Sequence, residues 1–356
     1  MSVFGIDARA AADEPAGRGR FVREVLRALA TGDDGHDWRL YARRAWDGAA
    51  LGERFEWRLS GEPDPLWHLR AARRASAECD AFLSTNSYLT TWFLSVPAVP
   101  VVHDLIPFDP ALRPRLRTVW IERATLGRCV RRSAAIVTPS EATSRALTER
   151  FPAARGKVRV APLGGALPEP GELPAGVPPR GFVLAAGTLE PRKNLPRLVA
   201  AYASLPPGLR EAHPLVVVGP RGWETGETER ALASLGESCI SLGFVSDEQL
   251  AALYGACAVF CYPSLGEGFG LPVLEAMGAG AAVVTSDRSS LPEVGGDAAE
   301  YCDPESEASI AEALERLLGD PARRAELGAR ARERAAGFGW EGTAATIVAT
   351  LEEVSR

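Results

Sequence analysis

Short apolar runs alternate along this chain with longer stretches in which apolar positions recur every three or four residues. The runs at 3–7, 38–41, 81–84, 99–103, 135–139 and 158–161 read as buried strands, and the stretches at 21–30, 116–131 and 141–150 as amphipathic helices. Such alternation specifies a mostly parallel sheet with helices on both faces. Between 167 and 181 the pattern stops: five prolines and three glycines fall within 15 residues, which reads as a linker. The alternation then restarts, with strands at 182–186, 215–218, 240–242, 259–262 and 282–285 and helices at 195–205, 224–235, 247–256 and 272–277. The remainder, at 304–318, 322–336 and 340–354, is helical. The pattern therefore predicts an α/β protein of two doubly wound, Rossmann-like domains, over 1–165 and 181–336, joined by a linker at 166–180. The closing helix, 337–356, is expected to pack back across the junction onto the first domain. Ligands of open parallel sheets bind beyond the carboxyl ends of the strands, so two such sheets are expected to hold a site in a cleft between them.

A length of 356 residues suits two domains better than one. No apolar run approaches the roughly 20 residues of a membrane span, and Val3-Phe4-Gly5-Ile6-Asp7 reads as a first strand rather than a leader peptide, so a cytoplasmic protein is expected. Six cysteines, Cys79, Cys129, Cys239, Cys257, Cys261 and Cys302, show no two-residue spacing and have mostly apolar neighbours, so they read as buried thiols. The net charge of −6 is uneven: residues 1–165 hold 25 Lys+Arg against 19 Asp+Glu, while 166–356 hold 15 against 27. Much of the basic excess surrounds Trp120, from Arg113 to Arg132. This is either a solvated helix face or a surface for an anionic acceptor or an anionic membrane, which would place the protein peripherally at the inner membrane face. No nucleic-acid partner is expected. Only Lys157 and Lys193 are lysines, against 38 arginines, which hints that a retained lysine has a specific task.

Four segments carry candidate chemistry. In Ser264-Leu-Gly-Glu267-Gly-Phe269-Gly270-Leu271-Pro-Val-Leu-Glu275-Ala-Met-Gly-Ala-Gly280, a strand runs into a glycine-rich loop and Pro272 is suited to open a helix. The amides of Phe269, Gly270 and Leu271 would then offer an anion or hydroxyl site. Glu267 in the loop and Glu275 in the helix cannot share one helix face. They are expected to grip different parts of one extended ligand, each as an acceptor for a sugar diol, unless the segment is only a structural turn. In Gly187-Thr188-Leu-Glu-Pro-Arg192-Lys193-Asn194, two cations stand where a helix dipole favours negative charge, an arrangement that a bound phosphate would resolve; a solvent-exposed basic turn is the alternative. His103 closes the strand at 99–103 and is either a structural histidine or a ligand for a sugar hydroxyl or phosphate. Gly17-Arg18-Gly19-Arg20, between the first strand and the first helix, permits close backbone approach to a phosphate or acceptor, though a short glycine pattern is weak evidence.

Together these segments resemble the retaining glycosyltransferases of family 4, whose signature is a pair of carboxylates with seven residues between them. The resemblance runs from 17–29 through 103–107, 137–144, 162–164, 187–202, 243–250 and 262–280 to 289–298. It implies the GT-B fold and a nucleotide-sugar donor. By resemblance Glu275 would bind the nucleotide ribose, and Glu267 with the backbone of Phe269, Gly270 and Leu271 would hold the donor sugar. Arg192 and Lys193 would neutralise the diphosphate, with Gly187 and Thr188 beside them, and His103 would contact the sugar or its phosphate. The loop at Phe244 and Val245 would meet the base through backbone groups, and Gly17 and Gly19 would line the donor site. Thr188 departs from members that carry arginine there, which shifts the load onto Arg192 and Lys193.

The implied reaction is transfer of a hexose with retention, in which the leaving diphosphate oxygen takes the acceptor proton. The chain has no Asp-x-Asp triplet, so neither a metal nor any other cofactor is expected. The Glu-Pro-Arg-Lys-Asn form of the cation loop resembles members that use GDP-mannose or related donors; a glycan, a lipid-linked molecule or a small molecule is the expected acceptor. A sugar-nucleotide epimerase, a phosphorylase-like enzyme and a non-catalytic nucleotide-sugar sensor are the rivals. An NAD-dependent oxidoreductase is disfavoured because no strand enters a Gly-x-Gly-x-x-Gly turn.

Overall fold

The structure, a computed structural model, describes residues 1–14, 17–85, 87–165 and 167–356; Ala166, the first residue of the expected linker, lies outside the described residues. The chain divides into two compact units. The first comprises Met1–Phe108, Leu116–Gly164 and Gly339–Arg356, the second Asp109–Arg115 and Gly165–Phe338. No helix among the described residues is long and apolar enough to cross a membrane.

The first unit is built on β1 (Val3–Asp7), β2 (Asp37–Ala42), β3 (Phe55–Leu59), β4 (Ala81–Ser84) and β5 (Ala98–Pro100), all parallel, in the order β3-β2-β1-β4-β5. Four of the five residues of β1 and all of β4 are buried, which is why they are continuous apolar runs. A second parallel pair, β6 (Ile136–Thr138) and β7 (Val158–Val160), continues beyond β5 through a bridge between Val101 and Val137. The expected strand at 99–103 is thus corrected: regular pairing ends at Pro100, because Val101 N–H still reaches Ser84 whereas Val102 N–H turns to Val137. His103 stands beyond the strand, in the loop that follows.

The closing helix Trp340–Ser355 belongs to this first unit. His36 contacts Glu352 at 2.9 Å, Arg159 pairs with Glu353 at 2.5 Å, and the Trp340 ring lies where a Cβ on Gly164 would come within 2.5 Å.

The second unit holds β8 (Val183–Ala186), β9 (Leu215–Val218), β10 (Cys239–Gly243), β11 (Val259–Tyr262), β12 (Val283–Ser286) and β13 (Glu300–Cys302), parallel in the order β10-β9-β8-β11-β12-β13. The inner strands are almost wholly Val, Leu, Ala and Phe, as burial on both faces demands. Their core is closed by Leu198 and Tyr202 on one helix and Ile310, Leu314 and Leu317 on another. The segment Asp109–Arg115 packs here although it lies between elements of the first unit. Trp223 Nε1 donates to the Arg113 carbonyl at 3.0 Å, the Arg113 guanidinium pairs with Glu224 at 2.7 Å and Glu227 at 3.3 Å, and Leu112 lies against Gly266. All six cysteines are free thiols; four are buried as expected, while Cys239 and Cys257 are half-buried.

Candidate functional site

In the second unit the winding reverses between β8 and β11, so the loops leaving their carboxyl ends splay apart and leave a crevice, the usual ligand position in an open parallel sheet. The loop after β8 starts at Gly187, whose φ of 135° lies in the region that favours glycine, and ends in a single 3-10 turn, Pro191–Lys193. Asn194 follows at φ 62°, and its amide donates to the carbonyls of Pro263 at 3.0 Å and Pro304 at 2.6 Å. Leu265 N–H donates to the Arg192 carbonyl at 2.8 Å, and the Ser264 hydroxyl oxygen lies 3.0 Å from the same carbonyl. These bonds fasten the cation loop to the glycine-rich loop after β11.

The result is a buried charge cluster. Glu267 takes Arg192 at 2.5 Å on one oxygen; on the other it accepts from Lys193 at 2.7 Å, Tyr262 at 2.8 Å and Ser264 at 2.8 Å. Arg192 also pairs with Glu190, and Lys193 donates to the Tyr262 hydroxyl. Two cations and two carboxylates therefore balance in a place where the Arg192, Lys193, Glu190 and Glu267 side chains are 16%, 10%, 5% and 9% exposed. Burial alone would raise the Glu267 pKa, but Arg192 and Lys193 outweigh it and hold the carboxyl well below its usual range. Burial lowers the Lys193 pKa, with Arg192 adding to the effect and Glu267 opposing it. For Arg192, Glu267 and Glu190 overcome the desolvation and raise the pKa. The anion expected between the cations is supplied, in the unliganded chain, by the protein itself. Glu190, Tyr262 and Ser264 were not singled out from the sequence; the available signal was a carboxylate two residues before an arginine and polar groups at a strand's carboxyl end.

The glycine-rich loop is shaped by Gly270, at φ 113°, where a Cβ would stand 2.7 Å from Leu291. The Ser290 hydroxyl lies 3.0 Å from the Glu267 carbonyl and 2.7 Å from that of Phe269, and the Ser289 hydroxyl accepts from Glu267 N–H at 3.0 Å. The helix Leu271–Gly278 then begins with proline in its first turn. Glu275 on this helix is 3% exposed, with the Tyr254 hydroxyl 3.4 Å from its carboxylate. Phe269 is buried against Phe338, Phe244 is 73% exposed, and Val245 is half-buried. A pocket of about 410 Å³ lies beside the β9 and β10 ends, lined by Leu189, Gly219, Arg221, Ser241 and Gly243 among others.

Gly17, Gly19 and His103 lie in the first unit. Gly17 caps the helix Arg18–Thr31 at φ 56°. At Gly19 a Cβ would fall 1.8 Å from the Glu14 carbonyl oxygen and 2.7 Å from that of Ala10, so the close approach this glycine permits is to its own chain. His103 Nε2 donates to the Thr85 carbonyl at 3.0 Å, and its ring meets the edge of Phe21 at 5.0 Å between centroids. Burial, with Arg18 adding to it, lowers its pKa to about 4, so near neutral pH the ring is uncharged and Nδ1 is an acceptor. Among the described residues, no group of three or more His, Cys, Asp or Glu side chains could hold a metal ion.

Two doubly wound units, the second with a cation and carboxylate cluster at its winding reversal, make the chain a GT-B glycosyltransferase fold. An Anabaena protein solved in complex with UDP and glucose matches it at a TM-score of 0.75 and 19% identity, over 99% of this chain and 100% of that one. The model described as "Glycosyltransferase Family 4" matches residues 15–164, and the one described as "Glycosyl transferases group 1" matches 177–334. The MMP alpha-(1->4)-mannosyltransferase of Mycolicibacterium hassiacum is 31% identical over 83% of this chain and 76% of its own length. The chain belongs to glycosyltransferase family 4. The O-antigen chain mannosyltransferase B of Escherichia coli is 44% identical over 46% of this chain. The chain spans 43% of that relative's length and 20–21% of three further Escherichia coli mannosyltransferases.

Proposed function

We propose that this chain transfers a hexosyl group from a nucleotide-diphosphate sugar to a hydroxyl of a glycan, lipid-linked or small-molecule acceptor, with retention of configuration and no metal requirement. The observation that carries the proposal is the pairing of Arg192 and Lys193 with Glu267. Two buried cations beside a displaceable carboxylate make a diphosphate site that is neutral while empty. When the diphosphate enters, it takes the two cations, and Glu267 is released to accept hydrogen bonds from the donor-sugar hydroxyls. Glu275 holds the ribose, and the Phe244 and Val245 loop meets the base. As the bond from the anomeric carbon to the phosphoryl oxygen breaks, charge grows on that oxygen and Arg192 and Lys193 stabilise it. The same oxygen takes the proton of the acceptor hydroxyl while the acceptor oxygen bonds to the anomeric carbon on the face the leaving group vacates. Arg192 and Lys193 supply the positive charge that a metal would otherwise bring. His103, with Nε2 committed to Thr85, offers Nδ1 to a sugar hydroxyl.

A GDP-mannose-like donor is favoured by the mannosyltransferase relatives, and the UDP complex of the Anabaena neighbour supports a nucleotide in this fold. The test is calorimetric titration with GDP, UDP, ADP and dTDP, with and without magnesium, followed by product analysis with the matching sugar donor. Selective magnesium-independent binding and an α-linked product are expected. Arg192→Ala should lower turnover by about 2–4 kcal/mol of transition-state stabilisation; unchanged turnover would remove Arg192 from this role.

A further inference from the structure

The helix Leu116–Arg132 carries an outward face that the transfer reaction does not use. Its inner side buries Glu122, Leu126, Cys129 and Val130. On the outer side Leu116, Trp120 and Ile121 are 75%, 77% and 51% exposed. Leu116 and Trp120 are four residues apart and stack along one face, with Ile121 beside them. Five of the helix's six charged residues are arginines, Arg117, Arg123, Arg128, Arg131 and Arg132. The sixth, Glu122, is buried and pairs with Arg18 at 2.8 Å, so the helix exposes no acid. Arg123, Arg128 and Arg132 are braced on their own unit, by the Pro107 carbonyl, the Trp92 ring and the Leu94 carbonyl, and Arg117 and Arg131 extend into solvent.

We propose that this face docks on an anionic phospholipid surface, with Leu116, Trp120 and Ile121 entering the headgroup region and the arginines pairing with lipid phosphates. A ridge of exposed apolar side chains bordered by cations without acids is the composition of an interfacial helix. A tryptophan suits the boundary between headgroups and acyl chains, and guanidinium forks match phosphate oxygens. Charge complementarity selects the lipid over a second copy of the chain, since a twofold contact through this face would set arginines against arginines. A nucleic acid would use the arginines but leave Leu116 and Ile121 in water. The docking does not depend on the transfer reaction, and its test contains no donor.

The test is co-sedimentation of the full chain with sucrose-loaded vesicles, of phosphatidylcholine alone or mixed with phosphatidylglycerol, at rising salt. Binding is expected only to the mixed vesicles and should weaken as salt increases. Leu116→Ser with Trp120→Ser should weaken partition at least tenfold, and Arg117→Glu with Arg131→Glu roughly fivefold or more per residue. The arginine variant serves if the apolar one misfolds, and thermal melts equal to wild type show that either is folded. Wild type that stays in the supernatant with mixed vesicles, or folded variants that sediment equally, would overturn the proposal. So would a dimer in sedimentation velocity that Trp120→Ser abolishes, which would give the face to a second copy, or a single-stranded oligonucleotide that displaces the vesicles.

Discussion

Replacing Glu267 by Gln tests the internal counter-ion directly. The carboxylate is buried and held by Arg192, Lys193, Tyr262 and Ser264, and glutamine keeps one acceptor oxygen while turning an amide N–H₂ toward the cations. Removing one partner of a buried, hydrogen-bonded pair costs about 3–5 kcal/mol. Glu190 still compensates one of the two cations, so the lower end, about 3 kcal/mol, is expected. For a unit of this size that is roughly 6–12 °C in Tm. Adding inorganic pyrophosphate should reverse the effect, because the variant leaves an uncompensated positive charge that phosphate can fill. In the wild type the same anion must first displace a carboxylate held by four side chains. A saturating anion at 100 times its Kd adds about 2.7 kcal/mol, and the tighter-binding variant should gain more at any one pyrophosphate concentration. The assay is differential scanning fluorimetry of both proteins across a pyrophosphate series. An unchanged Tm in Glu267→Gln, or a smaller pyrophosphate shift than in wild type, would refute the idea that Glu267 occupies the phosphate-binding charge in the empty site.

Two further outcomes follow from the same geometry. Glu190→Gln should lower turnover on the order of tenfold, about 1.4 kcal/mol, with a smaller change in donor KM. Glu190 pairs with Arg192 and sets where the guanidinium points, so a KM effect with unchanged kcat would contradict that role. His103 governs an acid limb. Its folded pKa of about 4 lies below the ordinary 6.5, so between these values the unfolded chain binds more protons and stability rises with pH. Above pH 6.5 His103 contributes no slope, and from 6.5 down to 4 it should remove up to roughly 3 kcal/mol. His103→Asn should flatten that limb in urea titrations at stepped pH; an identical limb would show that other groups produce it.

What the sequence discloses follows from how each element buries its side chains. β1, β4, β8, β9 and β11 are covered on both faces, and their unbroken apolar runs are visible without a structure. β3, at the sheet edge, alternates Phe55, Trp57 and Leu59 with Glu56 and Arg58 and has no buried residue, so a search for continuous runs passes over it. β13 has three residues and one fully buried side chain, too short for any period to register. The glycines at 17 and 19 show the converse limit. A pattern that permits close backbone approach does not say what approaches, and at Gly19 it is the Glu14 and Ala10 carbonyls.

The pairing inside the candidate site was hidden for a topological reason. Arg192, Lys193 and Glu267 each stand out locally, as cations at a turn or as a carboxylate in a glycine-rich loop. Lys193 and Glu267 are 74 residues apart, however, and only the adjacency of β8 and β11 brings them to 2.7 Å. A local reading of the cations therefore looks outward for an anion, toward a ligand. The strand order adds that the fold already holds one, from the loop whose glycines would also admit the sugar. On the proposed reading, a carboxylate that occupies the charge keeps the unit stable when no donor is present, and diphosphate entry would release that group to grip the sugar. An empty site built from cations alone would carry the full cost of burying unpaired charge. The two loops thus act as one device, and strand adjacency rather than either motif is what specifies it.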